Sequence, residues 1–204
     1  MKRKYIIPIL ILLLLGAGIL ILPGRSGERE ISPEELLQSL SNDSRFWSTD
    51  AVADKIIKQD PSMLLIDVRE PEQFNEFSLP GAVNIPLKNI LDEEWEPYFD
   101  APDYDVVLFS NGQILPARAW VLLERLGYTN LRVMEGGLNK WAETILQPPK
   151  PDASAPGTEW EQYDFRRAAR QYFTGGSGEI NTEQPDETIQ VPRRKKKNVV
   201  EGGC

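Results

Sequence analysis

The sequence predicts an α/β domain, a parallel β-sheet with helices on both faces, preceded by one N-terminal transmembrane helix. Two observations lead to this prediction. Residues 5–24 carry no charge and are about as long as a helix that crosses a ~30 Å hydrocarbon layer. After residue 60, short apolar runs alternate with helical segments, an order typical of parallel sheets covered on both faces. The 204 residues are enough for one core of ordinary size beside these appendages.

The N-terminal segment predicts where the rest of the chain lies. Residues 1–4 hold three basic side chains and are expected in the cytoplasm. Residues 5–24 are expected to be a single-pass signal-anchor in the cytoplasmic membrane, which makes the membrane a partner, with everything after Arg25 outside the cytoplasm. A secretory signal cleaved after Ser26 is the alternative because it shares the basic start, but the length of the apolar stretch favours an anchor.

A folded domain is expected over residues 32–146, after a charged linker at residues 25–31. Ser32, followed three residues later by Glu35, has the pattern of a capping box and predicts the start of a first helix. The apolar face of that helix is expected to consist of Leu36, Leu37 and Leu40.

Strands and helices are predicted to alternate through the rest of the domain. A second helix is expected to begin at Ser48 or Thr49. Short apolar runs predict strands at residues 63–68, 81–85, 106–109 and 131–134. Helices or turns are expected at residues 71–77, 89–99, 116–126 and 138–145. Because each strand is followed by a helical or irregular segment, the strands are expected to run parallel.

The composition changes after residue 146. Residues 147–157 are predicted to be a proline-rich connector, and residues 158–174 an amphipathic helix capped by Thr158. Its apolar side chains lie largely on one side and are Trp160, Phe165, Ala168, Ala169, Tyr172 and Phe173. Docking of this side onto the domain is favoured over binding to a partner or a membrane, because an exposed aromatic stripe of that size is unusual on a monomer.

Residues 175–204 are predicted to be a disordered tail with a basic run at residues 193–197. Such a run is usually solvated, and outside the cytoplasm its partner would be anionic lipid or another acidic surface, so nucleic acid is not an expected partner. The tail ends in Cys204, the single cysteine of the chain, so no internal disulfide can form. We therefore expect disulfide dimers through Cys204, or mixed disulfides, in an oxidising compartment.

Four motifs between residues 64 and 141 resemble, in their order and spacing, the landmarks of the rhodanese-like (sulfurtransferase) family. They are L-L-I-D-V-R-E-P-E-Q-F at 64–74, L-P-G-A-V-N-I-P-L at 79–87, V-V-L-F-S-N-G at 106–112 and G-Y-T-N-L-R-V-M-E-G-G-L-N-K-W at 127–141. The resemblance implies the same α/β architecture that the alternation of elements predicts. It also implies a degenerate member of the family, because Ser110 occupies the position of the catalytic cysteine.

The turn that follows the strand at residues 106–109 is the predicted site, because ligands of open parallel sheets bind beyond the carboxyl ends of the strands. Backbone N–H groups at the start of the next helix suit an anion. The predicted active-site loop comprises Ser110, Asn111, Gly112, Gln113, Ile114 and Leu115. In active rhodaneses, as the resemblance implies, a cysteine at the first position carries sulfur as a persulfide, and Leu115 falls where an arginine or threonine often closes the loop.

Ser110 lacks the chemistry of that cysteine. A thiol at a helix N-terminus is readily a thiolate, whereas a serine hydroxyl stays protonated without a general base. The sequence contains no histidine, so a hydrolytic Ser110 would need a carboxylate such as Asp67 as its base, and no spacing indicates one. A serine that bonds its own turn is the favoured interpretation.

Asp67 and Arg69 match the D-x-R pattern of the family and are predicted to support the loop. The expected role is structural: Asp67 pairs with Arg69 and orders the N–H groups of the loop. No residue pattern indicates a metal site or a cofactor.

The predicted function is that of a binding or scaffolding module for an unknown protein partner, without sulfurtransferase activity. The alternative is an enzyme: a sulfurtransferase that transfers thiosulfate or persulfide sulfur, for which Cys204 of the tail is one candidate thiol, or a hydrolase in the loop. A flexible tail of this length has a root-mean-square reach of about 30 Å, enough to visit Ser110, although tethering alone does not orient a thiol.

Overall fold

The computed structural model describes residues 30–175, and within them five strands form one fully parallel sheet in the order β1-β5-β4-β2-β3. The strands are β1 (Phe46–Trp47), β2 (Met63–Asp67), β3 (Val83–Asn84), β4 (Asp105–Phe109) and β5 (Leu131–Met134). β2 and β4 are the longest strands, with five residues each. They pair along their whole length, from Met63 opposite Asp105 to Asp67 opposite Phe109. The predicted α/β class with a parallel sheet is confirmed.

Seven α-helices connect and cover the strands of the described region. They are α1 (Pro33–Leu40), α2 (Thr49–Ile57), α3 (Pro71–Glu76), α4 (Glu96–Phe99), α5 (Ile114–Arg125), α6 (Gly137–Trp141) and α7 (Gly157–Phe173). A π-helical turn (Ala142–Leu146) continues α6, and 3-10 turns occupy Asp43–Arg45, Leu87–Asn89 and Glu93–Trp95. α1 begins with the predicted capping box, since the Ser32 hydroxyl accepts from the Glu35 amide and the Glu35 carboxylate from the Ser32 amide.

The sheet separates two apolar clusters, one on each face. Along β2, Leu64 and Ile66 belong to the cluster under α1 and α5, while Met63 and Leu65 belong to the cluster under α2, α6 and α7. All five residues of β2 are buried, as expected for a strand covered on both sides. Helices on both faces are therefore confirmed, and this burial holds the carboxyl ends of β2 and β4 rigidly beside each other.

The structure corrects several of the predicted boundaries. β1 was not predicted, because two residues between helices are too short for a periodic signal. β3 contains only Val83–Asn84 of the strand expected at residues 81–85, since Gly81 adopts φ +75° in the preceding turn. Leu37 is 66% exposed, so the apolar face of α1 consists of Leu36 and Leu40 alone.

The C-terminal helix α7 docks on the sheet, as its sequence favours. Phe165, Ala169 and Phe173 lie four residues apart and pack into the cluster of α2 and α6. Phe173 makes an edge-on contact with the Trp141 ring at 5.0 Å between centroids. The helix begins at Gly157, so Thr158 is not its cap, because the chain turns out of the connector at Pro156.

A charged contact fixes the outer side of α7. The Arg166 guanidinium donates to both carboxylate oxygens of Asp50 on α2, each at 2.8 Å. Tyr172 is 49% exposed and Ala168 is also exposed, so the docked face is narrower than the predicted stripe. α7 is therefore docked through the apolar residues Phe165, Ala169 and Phe173 and through the Arg166–Asp50 pair.

We expect Ala169→Arg to undock α7, because Ala169 is fully buried and the new guanidinium would have no room or partner there. The free energy of unfolding should fall by about 2–3 kcal/mol, the contribution expected from the lost apolar burial. Protease cleavage within residues 147–157 should become faster. Ala168→Arg on the exposed side is the matched control, and equal cleavage of the two variants would show that α7 does not dock through Ala169.

Asp60, at the opposite end of the sheet from the predicted loop, is held as a carboxylate. The Lys55 ammonium lies 2.6 Å from Asp60 Oδ2, and the Ser62 hydroxyl and amide donate to Oδ1 at 2.7 and 2.9 Å. The Lys55 hydrogen bond, followed by the Ser62 donors, holds the pKa of Asp60 well below its usual range. Asp60 therefore adds stability at neutral pH.

That contribution should disappear in acid. The unfolded carboxyl has a pKa of about 3.9 and the folded one a lower pKa, so the stabilisation is present above the unfolded pKa and is lost as the pH falls. We expect the melting temperature of the unmodified chain to drop between about pH 5 and pH 3 by more than that of Asp60→Asn. Parallel pH profiles of the two proteins would contradict this role of Asp60.

The predicted membrane span at residues 5–24 lies outside the described residues, as do residues 1–4, most of the linker and the tail beyond Gly175. Among residues 30–175, none of the helices has the length and apolarity needed to cross a bilayer.

Candidate functional site

The predicted loop lies at the carboxyl end of β4, between the strand and α5. Ser110 follows the last residue of β4 directly, and α5 begins at Ile114. The loop is therefore shorter than predicted: Ile114 and Leu115 belong to the first helical turn, because the chain takes up helical geometry already at Gln113, with φ −91° and ψ −16°. Pro116, expected to open the helix, is its third residue.

The Ser110 side chain is closed onto its own turn. Its hydroxyl donates to the Gly112 carbonyl at 2.8 Å and accepts from the Gly112 amide at 3.3 Å. Ser110 is 2% exposed. Since its proton is committed to a carbonyl, and no carboxylate within residues 30–175 hydrogen-bonds to the hydroxyl, Ser110 lacks a general base in this geometry.

The ion pair of Asp67 and Arg69 lies beside the loop at the end of β2. Arg69 Nη2 is 2.6 Å from Asp67 Oδ2, Arg69 Nε donates to both carboxylate oxygens, and the Arg69 amide donates to Oδ1 at 3.0 Å. The Ser78 hydroxyl donates to Oδ2 at 2.8 Å. Asp67 is fully buried and Arg69 is 5% exposed, so the predicted pairing exists in a nearly dry environment.

Arg69, rather than Asp67, reaches the loop. Arg69 Nη1 donates to the Asn111 side-chain oxygen at 2.9 Å, and Nη2 also donates to the Phe77 carbonyl. The expectation that Asp67 orders the N–H groups of the loop is therefore wrong, because its two oxygens are occupied by Arg69 and Ser78. Asp67 orients Arg69, and Arg69 positions Asn111.

Backbone hydrogen bonds from α6 also hold the loop, and these contacts were not predicted from the sequence. The Leu138 and Asn139 amides donate to the Ser110 and Asn111 carbonyls at 2.8 and 2.9 Å. Gly137, with φ +62°, lies so close that a Cβ there would be 2.4 Å from the Ser110 carbonyl oxygen. The adjacent glycines after β5 were the available signal, since positive φ and close backbone approach both require glycine.

The loop at residues 110–115 carries no charged side chain of its own. The N-cap residue Gln113 makes no side-chain hydrogen bond to the first turn of α5, and its side-chain oxygen instead accepts from the Gly136 amide at 3.3 Å. The guanidinium of Arg69 is already engaged by Asp67, Phe77 and Asn111. The described residues include no group of three metal-ligating side chains. The Arg69 guanidinium is therefore not free to hold an anion at the loop.

An apolar groove of about 740 Å³ begins where the loop ends. It runs along the outer face of α5, opposite the 3-10 turn at Leu87–Asn89. Its lining consists of Leu87, Ile114, Ala117, Arg118, Val121 and Leu122, together with Gln113. Ile114 is 69% and Leu122 is 41% exposed, so the groove is an open apolar surface next to Ser110.

Comparison with known proteins places the core of the chain in one family. The uncharacterized protein YqhL of Bacillus subtilis is 36% identical over 81 residues, covering 40% of this chain and 62% of that protein. The adenylyltransferase and sulfurtransferase UBA4 of Candida albicans is 29% identical over 119 residues, 50% of this chain and 25% of that protein. The thiosulfate:glutathione sulfurtransferase of Saccharomyces cerevisiae is 26% identical over 94 residues, 41% of this chain and 68% of that protein.

These matches cover only part of each protein, about a quarter of UBA4 and less than two thirds of YqhL. The model of the family described as "Rhodanese-like domain" matches residues 48–144, which contain β2 to β5, the Ser110 loop and the Asp67–Arg69 pair. The four motifs at residues 64–141 lie inside the same range. Residues 48–144 therefore form a rhodanese-like domain.

Proposed function

We propose that this rhodanese-like domain is a binding or scaffolding module without sulfurtransferase activity. The observation that carries the proposal is the closed Ser110 turn. At the position that the resemblance assigns to a sulfur-carrying cysteine, the chain has a buried hydroxyl that donates its proton to the Gly112 carbonyl. A hydroxyl in that state neither ionises near neutral pH nor holds a second sulfur atom.

Hydrolysis in the loop has equally little support. A serine nucleophile needs a base within hydrogen-bond reach, and the chain contains no histidine. Asp67, the carboxylate named above as an example of such a base, is bound by Arg69 and Ser78 and makes no hydrogen bond to Ser110. The geometry therefore favours recognition over chemistry at this loop.

The names of two relatives support the enzymatic alternative, since both include the word sulfurtransferase. In this chain such a reaction would require Cys204, the single thiol, to attack a sulfur donor in place of a loop cysteine. Cys204 lies outside the described residues. The alternative thus depends on a residue far along the chain from the loop, and it can be separated experimentally from the binding proposal.

Sulfur loading tests the proposal directly. The full chain and its Cys204→Ser variant are incubated with thiosulfate, and the intact masses are measured without reductant. Attack of a thiolate on the outer sulfur of thiosulfate would break the S–S bond, release sulfite and leave a persulfide on the protein. We expect no persulfide on either protein. A sulfur adduct on the full chain that is absent from Cys204→Ser would overturn the proposal in favour of the tail thiol.

We also propose that the domain is held outside the cytoplasm by residues 5–24. The support is the uncharged apolar length of this segment and the basic residues that precede it. We expect the full chain to stay in membranes after carbonate extraction, and its domain to be cut by protease added from the outer side. A soluble product that begins near residue 27 would instead identify a cleaved signal.

A further inference from the structure

α5 is apolar on two opposite sides, which is unusual for a helix at the surface. Its inner side packs under the sheet through Ala119, Trp120 and Leu123. Its outer side carries Ile114, Ala117 and Val121, at intervals of three and four residues, with Leu122 next to Val121, and all four line the open groove. Val121 also packs against the inner cluster. A helix at a protein surface normally has one apolar stripe with polar residues opposite it. Apolar residues left exposed on the outer side of α5 are typical of an interaction surface.

Among residues 30–175, the groove is lined by one charged side chain, Arg118. It lies on α5 midway between Ile114 and Leu122, one helical turn from each. Arg118 is exposed, and its guanidinium makes no ion pair with any residue between 30 and 175. The neighbouring cation Lys88 differs, because its ammonium contacts the Glu70 carboxylate at 2.5 Å. A ligand of the groove must therefore fill apolar space on both sides of a free guanidinium.

We propose that this groove binds an amphipathic helix of a protein partner, whose apolar side chains fill the space along α5 and whose central carboxylate pairs with Arg118. The proposal rests on the proposed function as a binding module and names the kind of partner it recognises. Helices dock in grooves through apolar residues spaced by three and four positions, which is the spacing that α5 itself presents. When the guanidinium pairs with a carboxylate, the two groups exchange water for charge-assisted hydrogen bonds. This pair also fixes the position of the bound helix along the groove.

A second copy of this chain fits the groove poorly. Symmetric dimers use the same patch on both subunits, so two α5 helices would cross antiparallel about the middle of the stripe. Ile114 of one copy would then meet Leu122 of the other, but Arg118 would face Arg118. Two like charges in a desolvated contact disfavour that pairing. Charge complementarity thus requires a different partner, one that brings an acidic residue.

The charge of the surface favours a helix over a lipid bilayer. Among residues 30–175, Arg118 on α5 is the one charged side chain that lines it, beside Leu87 of the 3-10 turn. Helices that lie on a membrane carry several Lys or Arg side chains, whereas one carboxylate of a partner helix is enough to pair with one guanidinium. The volume of about 740 Å³ accommodates several side chains of an inserted helix.

Photo-crosslinking of the full chain in the cells that produce it tests this proposal. Benzoylphenylalanine is placed at position 114 in the groove, or as a matched control at position 37 on α1, where Leu37 is 66% exposed and does not line the groove. We expect an adduct from position 114 alone, mapped to a helical segment of another protein with an acidic residue one turn from the crosslink. An adduct to a second copy or to lipid, no adduct, or equal adducts from both positions would overturn the proposal.

A charge exchange then tests the role of Arg118. A synthetic peptide of the mapped segment should bind the unmodified chain, and Arg118→Glu should weaken binding by about tenfold or more. A peptide with lysine in place of its acidic residue should recover affinity for Arg118→Glu. Unchanged affinity after either exchange would overturn the proposal. The groove measurements and the sulfur-loading test are independent of each other. A persulfide on Cys204 would overturn the proposed function, whereas only the crosslinking and peptide-binding results decide whether the groove binds a helix.

Discussion

Replacing Asp67 by alanine is expected to lower the free energy of unfolding by about 3–5 kcal/mol, the cost of leaving a buried charge without its partner. Arg69 is 5% exposed and donates to both oxygens of Asp67, so its guanidinium cannot turn to water without leaving the core. The loop should loosen as well, because Arg69 holds the Asn111 side chain. Urea denaturation followed by tryptophan fluorescence measures the loss.

Asp54→Ala provides the matched control for the ion pair. Asp54 bonds Lys58 one turn along α2 at 2.7 Å, but both side chains are exposed, at 42% and 68%. Surface pairs of this kind contribute about 0.3–0.5 kcal/mol. If Asp67→Ala cost no more than Asp54→Ala, the pair with Arg69 would not be the structural support that its burial indicates.

Gly137→Ala is expected to cost about 3 kcal/mol or more and to displace the Ser110 loop. Two penalties combine, since alanine at φ +62° is strained and its Cβ would lie 2.4 Å from the Ser110 carbonyl oxygen. Relief requires α6 and the loop to move apart, which breaks the bond from the Leu138 amide to Ser110. Amide exchange at Leu138 and Asn139 should become faster together with the loss of stability.

Gly112→Ala is the control within the same loop. A Cβ at Gly112 meets no atom within 4 Å, and its backbone has no positive φ, so we expect a change within about 0.5 kcal/mol. Equal effects of the two substitutions would mean that the loop and α6 are not in close contact.

The main elements of the fold could be predicted because their signals are local. β2, β4 and β5 are short apolar runs buried on both faces, and each lies within a residue or two of its predicted bounds. α1 carries a complete capping box, which marks its first residue. β1 could not be predicted, since its two residues become a strand only by pairing with β5. Pairing across the chain leaves no periodic pattern in so short a segment.

The candidate site was predictable in its residues and less so in its contacts. The resemblance to known motifs located Ser110, Asp67 and Arg69, and the structure places them side by side at the ends of β4 and β2. The sequence motifs could not show that Arg69 rather than Asp67 reaches Asn111, because side-chain direction depends on tertiary packing. The exposure of Ile114 and Leu122 was equally hidden, since an apolar helix residue is expected inside unless its neighbours are known.

The central claim is that the domain is a binding module and that its Ser110 loop does not transfer sulfur. Thiocyanate formation from thiosulfate and cyanide is the most direct test of this claim. The unmodified full chain is compared with Ser110→Cys, in which a thiol replaces the hydroxyl at the N-terminal end of α5. We predict turnover at the uncatalysed rate for the unmodified chain and measurable activity for Ser110→Cys, because a thiolate there is stabilised by the helix N-terminus. Activity of the unmodified chain above the uncatalysed rate would contradict the account.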